Sequence, residues 1–227
     1  MKKNNLKIVA LLPMKGISER IPSKNLKSFC SKPLFHVVLN KLISCEFIHE
    51  VLINTDCENI KKNISENFKN KVRIIDRPKN LIGNYVSMNE IIKHDISLSD
   101  ADIYFQTHST NPLLLSTSIE KSIRTMIDYV HLDKYDSIFS VTETKKRFYT
   151  RSCTPMNHDP TMLVTQHLEP IFEENSCFYL FTKSSFLLKD SRIGAKPYMF
   201  SLNKIESVDI DNPEDFIIAE SLYEIFR

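Results

Sequence analysis

Glycine is nearly missing from this chain. It occurs at only three positions in 227 residues, 16, 83 and 194. Neither G-x-G-x-x-G nor G-x-x-x-x-G-K-S/T can be built from that set, so a standard dinucleotide fold and a P-loop are excluded. Any phosphate site must therefore use side-chain cations more than bare backbone. An excess of charge is missing too. The 30 basic and 28 acidic residues leave a net +2, which gives no support for bulk nucleic-acid or anionic-membrane binding. No apolar run approaches the roughly 18 residues of a membrane span. Met1 to Asn5 is basic and polar. The apolar run behind it is short and lacks a small-residue cleavage site, so it reads as a strand and not as a signal peptide. The five cysteines, at 30, 45, 57, 153 and 177, show no CxxC spacing. An odd, scattered set predicts reduced thiols in a cytoplasmic protein.

What is present is regular. Apolar residues make up 42% of the chain, enough for the core of a single α/β domain over 1–227. Strands are predicted at about 6–13, 50–56, 71–75, 102–106 and 136–141. Between them lie helical patterns. One starts at Pro33 and carries Leu34, Val37, Val38, Leu39, Leu42 and Ile43; another has Ile60, Ile64 and Phe68 on one face. Two more cover 88–96 and 117–130. This alternation predicts right-handed crossovers and a three-layer, Rossmann-like α/β/α architecture with a mainly parallel sheet.

The pattern breaks at 143–172, which is polar, Pro-bearing, poorly periodic and long for a plain connection. It is predicted to be an arm or lid, with Phe148, Tyr149, Met156 and Met162 exposed for packing against a second copy. Two further strands, at 176–181 and 198–202, precede a last helix. Pro213 starts that helix and Asp211 or Asn212 caps it.

The first strand empties into Lys15-Gly16-Ile17-Ser18-Glu19-Arg20-Ile21-Pro22-Ser23-Lys24-Asn25. Loops at the carboxyl end of the first strand of an α/β sheet are where ligands usually sit. Lys15, Arg20 and Lys24 suit a polyanion such as a triphosphate. Near the other end, Asp209-Ile210-Asp211 is predicted to alternate along a strand, which puts both carboxylates on one side. Two such groups suit Mg²⁺, which keeps its remaining waters and shares phosphate oxygens with a nucleotide. The same pattern also serves as a strand end plus helix cap. Gln106-Thr107-His108-Ser109-Thr110-Asn111-Pro112 ends the fourth strand with hydrogen-bonding side chains. They suit recognition of a base or ribose, or a turn with its own Asx and Ser/Thr bonds. Arg77-Pro78 and Ser87 are candidates for a phosphate or ribose contact. Glu173-Glu174-Asn175-Ser176 faces a polar substrate or caps the strand that follows.

Taken in order, these residues resemble the acylneuraminate cytidylyltransferase family, the CMP-sialic acid synthetases and their relatives. The family loop Arg-x-x-Ser-Lys-x-Ile/Leu-Pro-x-Lys-Asn is matched at Lys15, Ser18, Glu19, Ile21, Pro22, Lys24 and Asn25. Its segment Leu-Gln-x-Thr-Ser-Pro-Leu resembles Phe105 to Leu113, with two extra residues here. Its Arg-Pro with a downstream Ser resembles Arg77-Pro78 and Ser87. Its Asn-Gly-Ala-x-Tyr resembles Asn175-Ser176-Cys177-Phe178-Tyr179, and its metal motif resembles Asp209-Ile210-Asp211 with Glu214-Asp215.

The resemblance implies a Mg²⁺-dependent nucleotidyltransferase that joins CTP and a small anionic acceptor, a sialic acid-like sugar, into a CMP-sugar plus pyrophosphate. It implies a homodimer through the arm. It implies catalytic roles for Lys15, Lys24, Asp209 and Asp211, with the two aspartates holding Mg²⁺. Nucleotide contacts would come from Lys15, Ser18, Arg20, Lys24, Asn25, Arg77, Ser87, Gln106 and His108. Acceptor contacts would come from Gln166, Glu173 and Asn175. Three departures stand out. Lys15 replaces the leading loop Arg and its bidentate grip. Glu19 replaces a Lys. Thr165 and Glu173 stand where the sialic acid enzymes place arginines toward the sugar carboxylate, which predicts poor use of N-acetylneuraminic acid. The alternative readings are transfer to another anionic acceptor such as a phosphonate, a metal-dependent glycosyltransferase, and a non-catalytic nucleotide-binding relative.

Overall fold

The computed structural model describes residues 6–68, 70–161 and 164–226. Met1 to Asn5 and Met162 lie outside the described residues. The first half of the chain gives β1 (Ile8–Leu11), β2 (Ser28–Phe29), β3 (Lys32–Pro33), α1 (Leu34–Ser44), β4 (Glu50–Thr55), α2 (Glu58–Asn67), β5 (Val72–Asp76), α3 (Met88–Ser97) and β6 (Ile103–Thr107). The second half gives α4 (Ser116–His131), β7 (Ser137–Thr144), β8 (Ile171–Thr182), α5 (Lys183–Lys189), β9 (Pro197–Leu202) and α6 (Pro213–Phe226).

The main sheet has the order β5-β4-β1-β6-β8-β7-β9. β8 runs antiparallel to both of its neighbours, and every other pairing in this sheet is parallel. The two-residue side-chain period of a strand explains the three layers. Ile8 and Ala10 of β1 pack on one face with Phe35, Val38 and Leu42 of α1 and Ile119, Ile123 and Met126 of α4. Val9 and Leu11 pack on the other face with Ile92 and Ile96 of α3 and Phe186 of α5. All of β1 is therefore buried, which is why it reads as an unbroken apolar run. Truncating Leu11 to Ala would cost about 2–5 kcal/mol.

The chain leaves β1 toward β4 and β5, then returns to place β6 on the other side of β1. The loops after β1 and β6 thus diverge, and the crevice between them is the place an open α/β sheet offers a ligand.

Four features differ from the sequence expectations. A small ribbon, β2–β3, precedes α1, because two-residue strands carry no readable period. Its turn, Cys30-Ser31, has φ of 46° and 69°, a left-handed turn usually given to Asn or Gly. Pro33 closes β3 and flanks α1 instead of starting it. Asp209-Ile210-Asp211 belongs to no strand. Its backbone is tied instead by the Ile210 N–H to the Thr110 carbonyl at 3.0 Å. Finally, β7 and β8 continue pairing out to Thr144 and Ile171, so the arm proper is 145–170. Within it Tyr149 bridges Pro155, and the Met156 N–H donates to the Phe148 carbonyl at 2.9 Å. Phe148, Tyr149 and Met156 are exposed as expected.

Asn212 makes the cap of α6. Its Oδ1 accepts from the Asp215 N–H at 3.2 Å, while Asp215 accepts from the Asp211 and Asn212 N–H groups.

Candidate active site

The crevice at the switch point is a cleft of about 310 Å³. Its walls are Lys15, Ser18, Glu19, Arg20, Lys24 and Asn25 from the loop after β1, Arg77 and Asn84 from the loop after β5, and His108 to Thr110 from the end of β6. The first loop is shaped at Gly16, whose N–H donates to Asp56 Oδ1 at 2.8 Å. A Cβ there would sit 2.8 Å from the Cys57 Cβ, so only glycine allows this approach. Asn25 is buried and clamps the loop's far end. Its Nδ2 donates to the Lys15 carbonyl at 3.0 Å, and its Oδ1 accepts from the Ser109 hydroxyl at 2.6 Å. Its amide is thereby engaged in bracing the loop. Asn84 spans the cleft mouth, accepting from Lys15 Nζ at 3.3 Å and donating to Glu19.

The first and last motifs meet here. Lys24 Nζ donates to the Ile210 carbonyl at 2.6 Å, and Arg20 Nη2 pairs with Asp211 Oδ1 at 2.7 Å. The Arg20–Asp211 pair is well exposed and worth under about 1 kcal/mol; it orients the carboxylate more than it stabilises the fold. Burial pulls the Lys24 ammonium below its ordinary pKa, and the charges of Asp209 and Asp211 oppose that. Loss of hydration pushes the Asp209 carboxyl above its ordinary range; a Thr110 hydrogen bond opposes the rise and Asp211 adds to it. Asn111 Nδ2 contacts Asp209 Oδ1 at 3.4 Å. Two carboxylates that repel each other beside a basic loop are a donor set that fits hydrated Mg²⁺. Among the described residues no group of three or more His, Cys, Asp or Glu side chains is arranged to hold a metal. An ion here would draw its other ligands from water and phosphate.

The remaining candidates divide sharply. His108 lines the cleft, and burial, helped by Arg192 and Lys24, pulls its pKa down to about 4. It is a neutral imidazole at pH 7. Arg77 is pinned below the loop, with Nε on Asn54 Oδ1 at 2.7 Å and Nη2 on the Met14 and Asn54 carbonyls at 3.2 and 2.9 Å. Ser87 is engaged elsewhere. It caps α3, exchanging hydrogen bonds with Glu90, and does not line the cleft. Gln106 is fully buried beneath the cleft, with Nε2 donating to the Thr107 carbonyl at 2.9 Å.

A second basin of about 280 Å³ adjoins Asp209 and includes Thr142, Glu173, Glu174, Asn175 and Ser176. It brings together two of the three expected acceptor residues. The Asn175 amide braces the strand: Oδ1 accepts from the Ser140 hydroxyl at 2.6 Å, and Nδ2 donates to Thr142 Oγ1 at 3.0 Å. Ser176 has φ 56°, the left-handed region that favours glycine, and lies near the register shift between β7 and β8. Gln166 lies exposed in a short helical turn of the arm, Thr165–His167, and lines neither cavity. Asn84 and Arg192 were not anticipated. Neither belongs to a periodic segment, and no local spacing marks them.

The cytidylyltransferase family model matches residues 9–225. The chain belongs to the cytidylyltransferase family. This cytidylyltransferase is 26% identical over 234 residues to an N-acylneuraminate cytidylyltransferase of Escherichia coli, covering 96% of the chain and 52% of that protein. It is 23% identical over 236 residues to a pseudaminic acid cytidylyltransferase of Campylobacter jejuni, covering 97% of each. The chain thus spans about half the length of the E. coli relative and nearly all of the Campylobacter one. Among solved structures, CMP:2-keto-3-deoxy-manno-octonic acid synthetase complexed with CTP superposes with a TM-score of 0.71 at 15% identity, covering 97% of this chain and 100% of that one. The family and the three-layer α/β/α fold read from the sequence are both borne out. No helix of the described residues is long and apolar enough to cross a membrane.

Proposed function

We propose that this cytidylyltransferase moves CMP from CTP to an acidic sugar of the nonulosonic type, releasing pyrophosphate. The observation that carries this reading is the meeting of Lys24 with Ile210 and of Arg20 with Asp211 across the switch point. The names of the relatives support the sugar class.

In this reading the acceptor hydroxyl attacks the α-phosphorus in line. A new P–O bond to the sugar forms, the bond to the β-phosphate oxygen breaks, and the hydroxyl proton leaves to solvent. Lys15 and Lys24 offset charge that develops on the phosphates, since phosphoryl chemistry depends mostly on positioning and electrostatics. Asn25 and Ser109 keep the basic loop against the end of β6. Ser18 and neutral His108 offer hydrogen bonds to the nucleotide without adding charge. Asp209 and Asp211 would hold Mg²⁺, which when bound supplies charge neutralisation and a lower hydroxyl pKa. Glu173 and Ser176 would face the sugar.

We also propose that the arm makes a homodimer, because Phe148, Tyr149 and Met156 are exposed on it. A light-scattering mass near 26.4 kDa at micromolar concentration would overturn this. The five cysteines form no disulfide, in keeping with a cytoplasmic site of action.

The test of the reaction is pyrophosphate release from CTP with pseudaminic, N,N'-diacetyllegionaminic, N-acetylneuraminic and 3-deoxy-manno-octulosonic acids. We expect turnover with at least one of them, and more slowly with ATP, GTP or UTP. No pyrophosphate with any acceptor would overturn the reading.

A further inference from the structure

Arg192 lies in the loop after α5, outside every motif considered above. Its guanidinium stacks on the Tyr179 ring of β8, with Cζ 4.0 Å from the ring centroid. Nη1 donates to Gln106 Oε1 at 2.9 Å. Among the described residues these are its hydrogen bond and its ring contact, and no carboxylate lies within ion-pair distance. A guanidinium has five N–H donors in a rigid fork, so most of this one is unused although the group is half-buried. After Tyr179, the acid that acts on it is Glu174, whose carboxylate is engaged by the Tyr179 hydroxyl. An arginine held flat on an aromatic ring, partly dehydrated and without an anion, is prepared for one.

Its position says which anion. Gln106, itself buried, contacts His108 of the cleft wall through Nε2, while the hydroxyl of Tyr179 engages Glu174 of the second basin. Arg192 lines neither cavity itself, but its charge acts on His108 of the cleft wall and on Glu174 of the second basin. Lys15 and Lys24, which do line the cleft, are the cations proposed above for the phosphates.

We propose that Arg192 is the residue that receives the acceptor's carboxylate, by a forked hydrogen bond, with Gln106 and Tyr179 holding the guanidinium in place. This rests on the reading of the second substrate as an acidic sugar. It assigns to the loop after α5 a cation that Thr165 and Glu173 do not supply.

The experiment is calorimetric binding of the same four sugar acids, and of their C1 amides, to the full chain with an α,β-methylene CTP analogue present. We expect Arg192→Met to weaken binding of the acids at least ~10-fold, the scale of losing a hydrogen bond to a charged group. The amides should bind weakly to the wild-type and be unaffected by the substitution. Affinity for the CTP analogue should not change. Arg192→Lys keeps the charge but loses the fork, and should fall between. It also decides the matter, together with the acid–amide comparison in the wild-type, if circular dichroism shows Arg192→Met unfolded. Equal acid affinity in wild-type and variant, equal binding of acid and amide, or no binding of any acid would overturn the proposal. Binding without pyrophosphate release would leave Arg192 supported and remove the transfer reaction instead.

Discussion

The two ends of the active cleft are built in different ways. The end proposed for the phosphates comes from one loop of eleven residues, Lys15 to Asn25, cross-braced by Ser109 and by the Ile210 carbonyl. The end proposed for the acceptor would be assembled from β6, β7, β8 and the loop after α5, through Gln106, Thr142, Glu173 and Arg192. A contiguous loop keeps its order of residues in any sequence that makes it. An assembled wall can change one member while its neighbours compensate. The basic loop keeps more of the family pattern, despite Lys15 and Glu19, than the segment with Thr165 and Glu173 does.

The largest expected effect lies where the two ends meet. Asp209→Asn or Asp211→Asn removes a charge and keeps the shape, and should lower turnover by at least ~100-fold. EDTA should do the same to the wild-type. Full activity in either case would break the idea of a shared carboxylate pair.

Lys24→Ala comes next, because it withdraws both a phosphate cation and the tie to Ile210. The KM for CTP should rise on the order of 10-fold, as for other charge-assisted contacts, and the KM for the sugar should move less. Lys62→Ala, on the exposed face of α2, is the control. If the two variants behave alike, the phosphate end is not where the comparison puts it.

A smaller effect is a slope. His108 has a folded pKa of about 4, below the ordinary value near 6.5 that it regains on unfolding. The unfolded chain then binds more protons in that window, so stability falls as pH drops from about 6.5 toward 4. Buried Asp95, pushed up to about 6 by burial, acts in the opposite sense as pH falls below 6. Comparing wild-type with His108→Asn isolates the histidine. The variant should lose less stability in urea between pH 7 and pH 5, and equal losses would show that His108 is not held neutral.

The smallest expected effect is at Ser87. Ser87→Ala should cost about 1 kcal/mol of stability through the lost α3 cap and leave the KM for CTP unchanged. A raised KM with no loss of stability would return Ser87 to the nucleotide site.

Much of this was legible. β1 reads as an unbroken apolar run because both its faces are buried, and α1 and α4 carry clear periods because each buries one face in the same core. The basic loop and Asp209-Ile210-Asp211 were legible as motifs, and the structure brings them into contact. The rest was set by distance along the chain. Nothing near Ser87 distinguishes a cap from a ribose contact until Glu90 is seen to reach back. Asp209 looked like a strand residue because alternation in a sequence does not show whether the segment pairs. Arg192 and Gln106 are 86 residues apart, and their contact exists only because β6 and β8 are neighbours.

Among the described residues, β8 is the only strand of the main sheet that runs against the others. It enters from the arm, carries Glu173 to Ser176 past the basin and reaches Tyr179 under Arg192, all within Ile171–Thr182. Twelve consecutive residues, plus the loop that supplies one arginine, therefore hold most of what would choose the acceptor. The parallel half, with its nucleotide machinery, can stay fixed while that cassette is rewritten. A lineage, or an engineer, could move such an enzyme from one sugar to another by exchanging a single short stretch of gene.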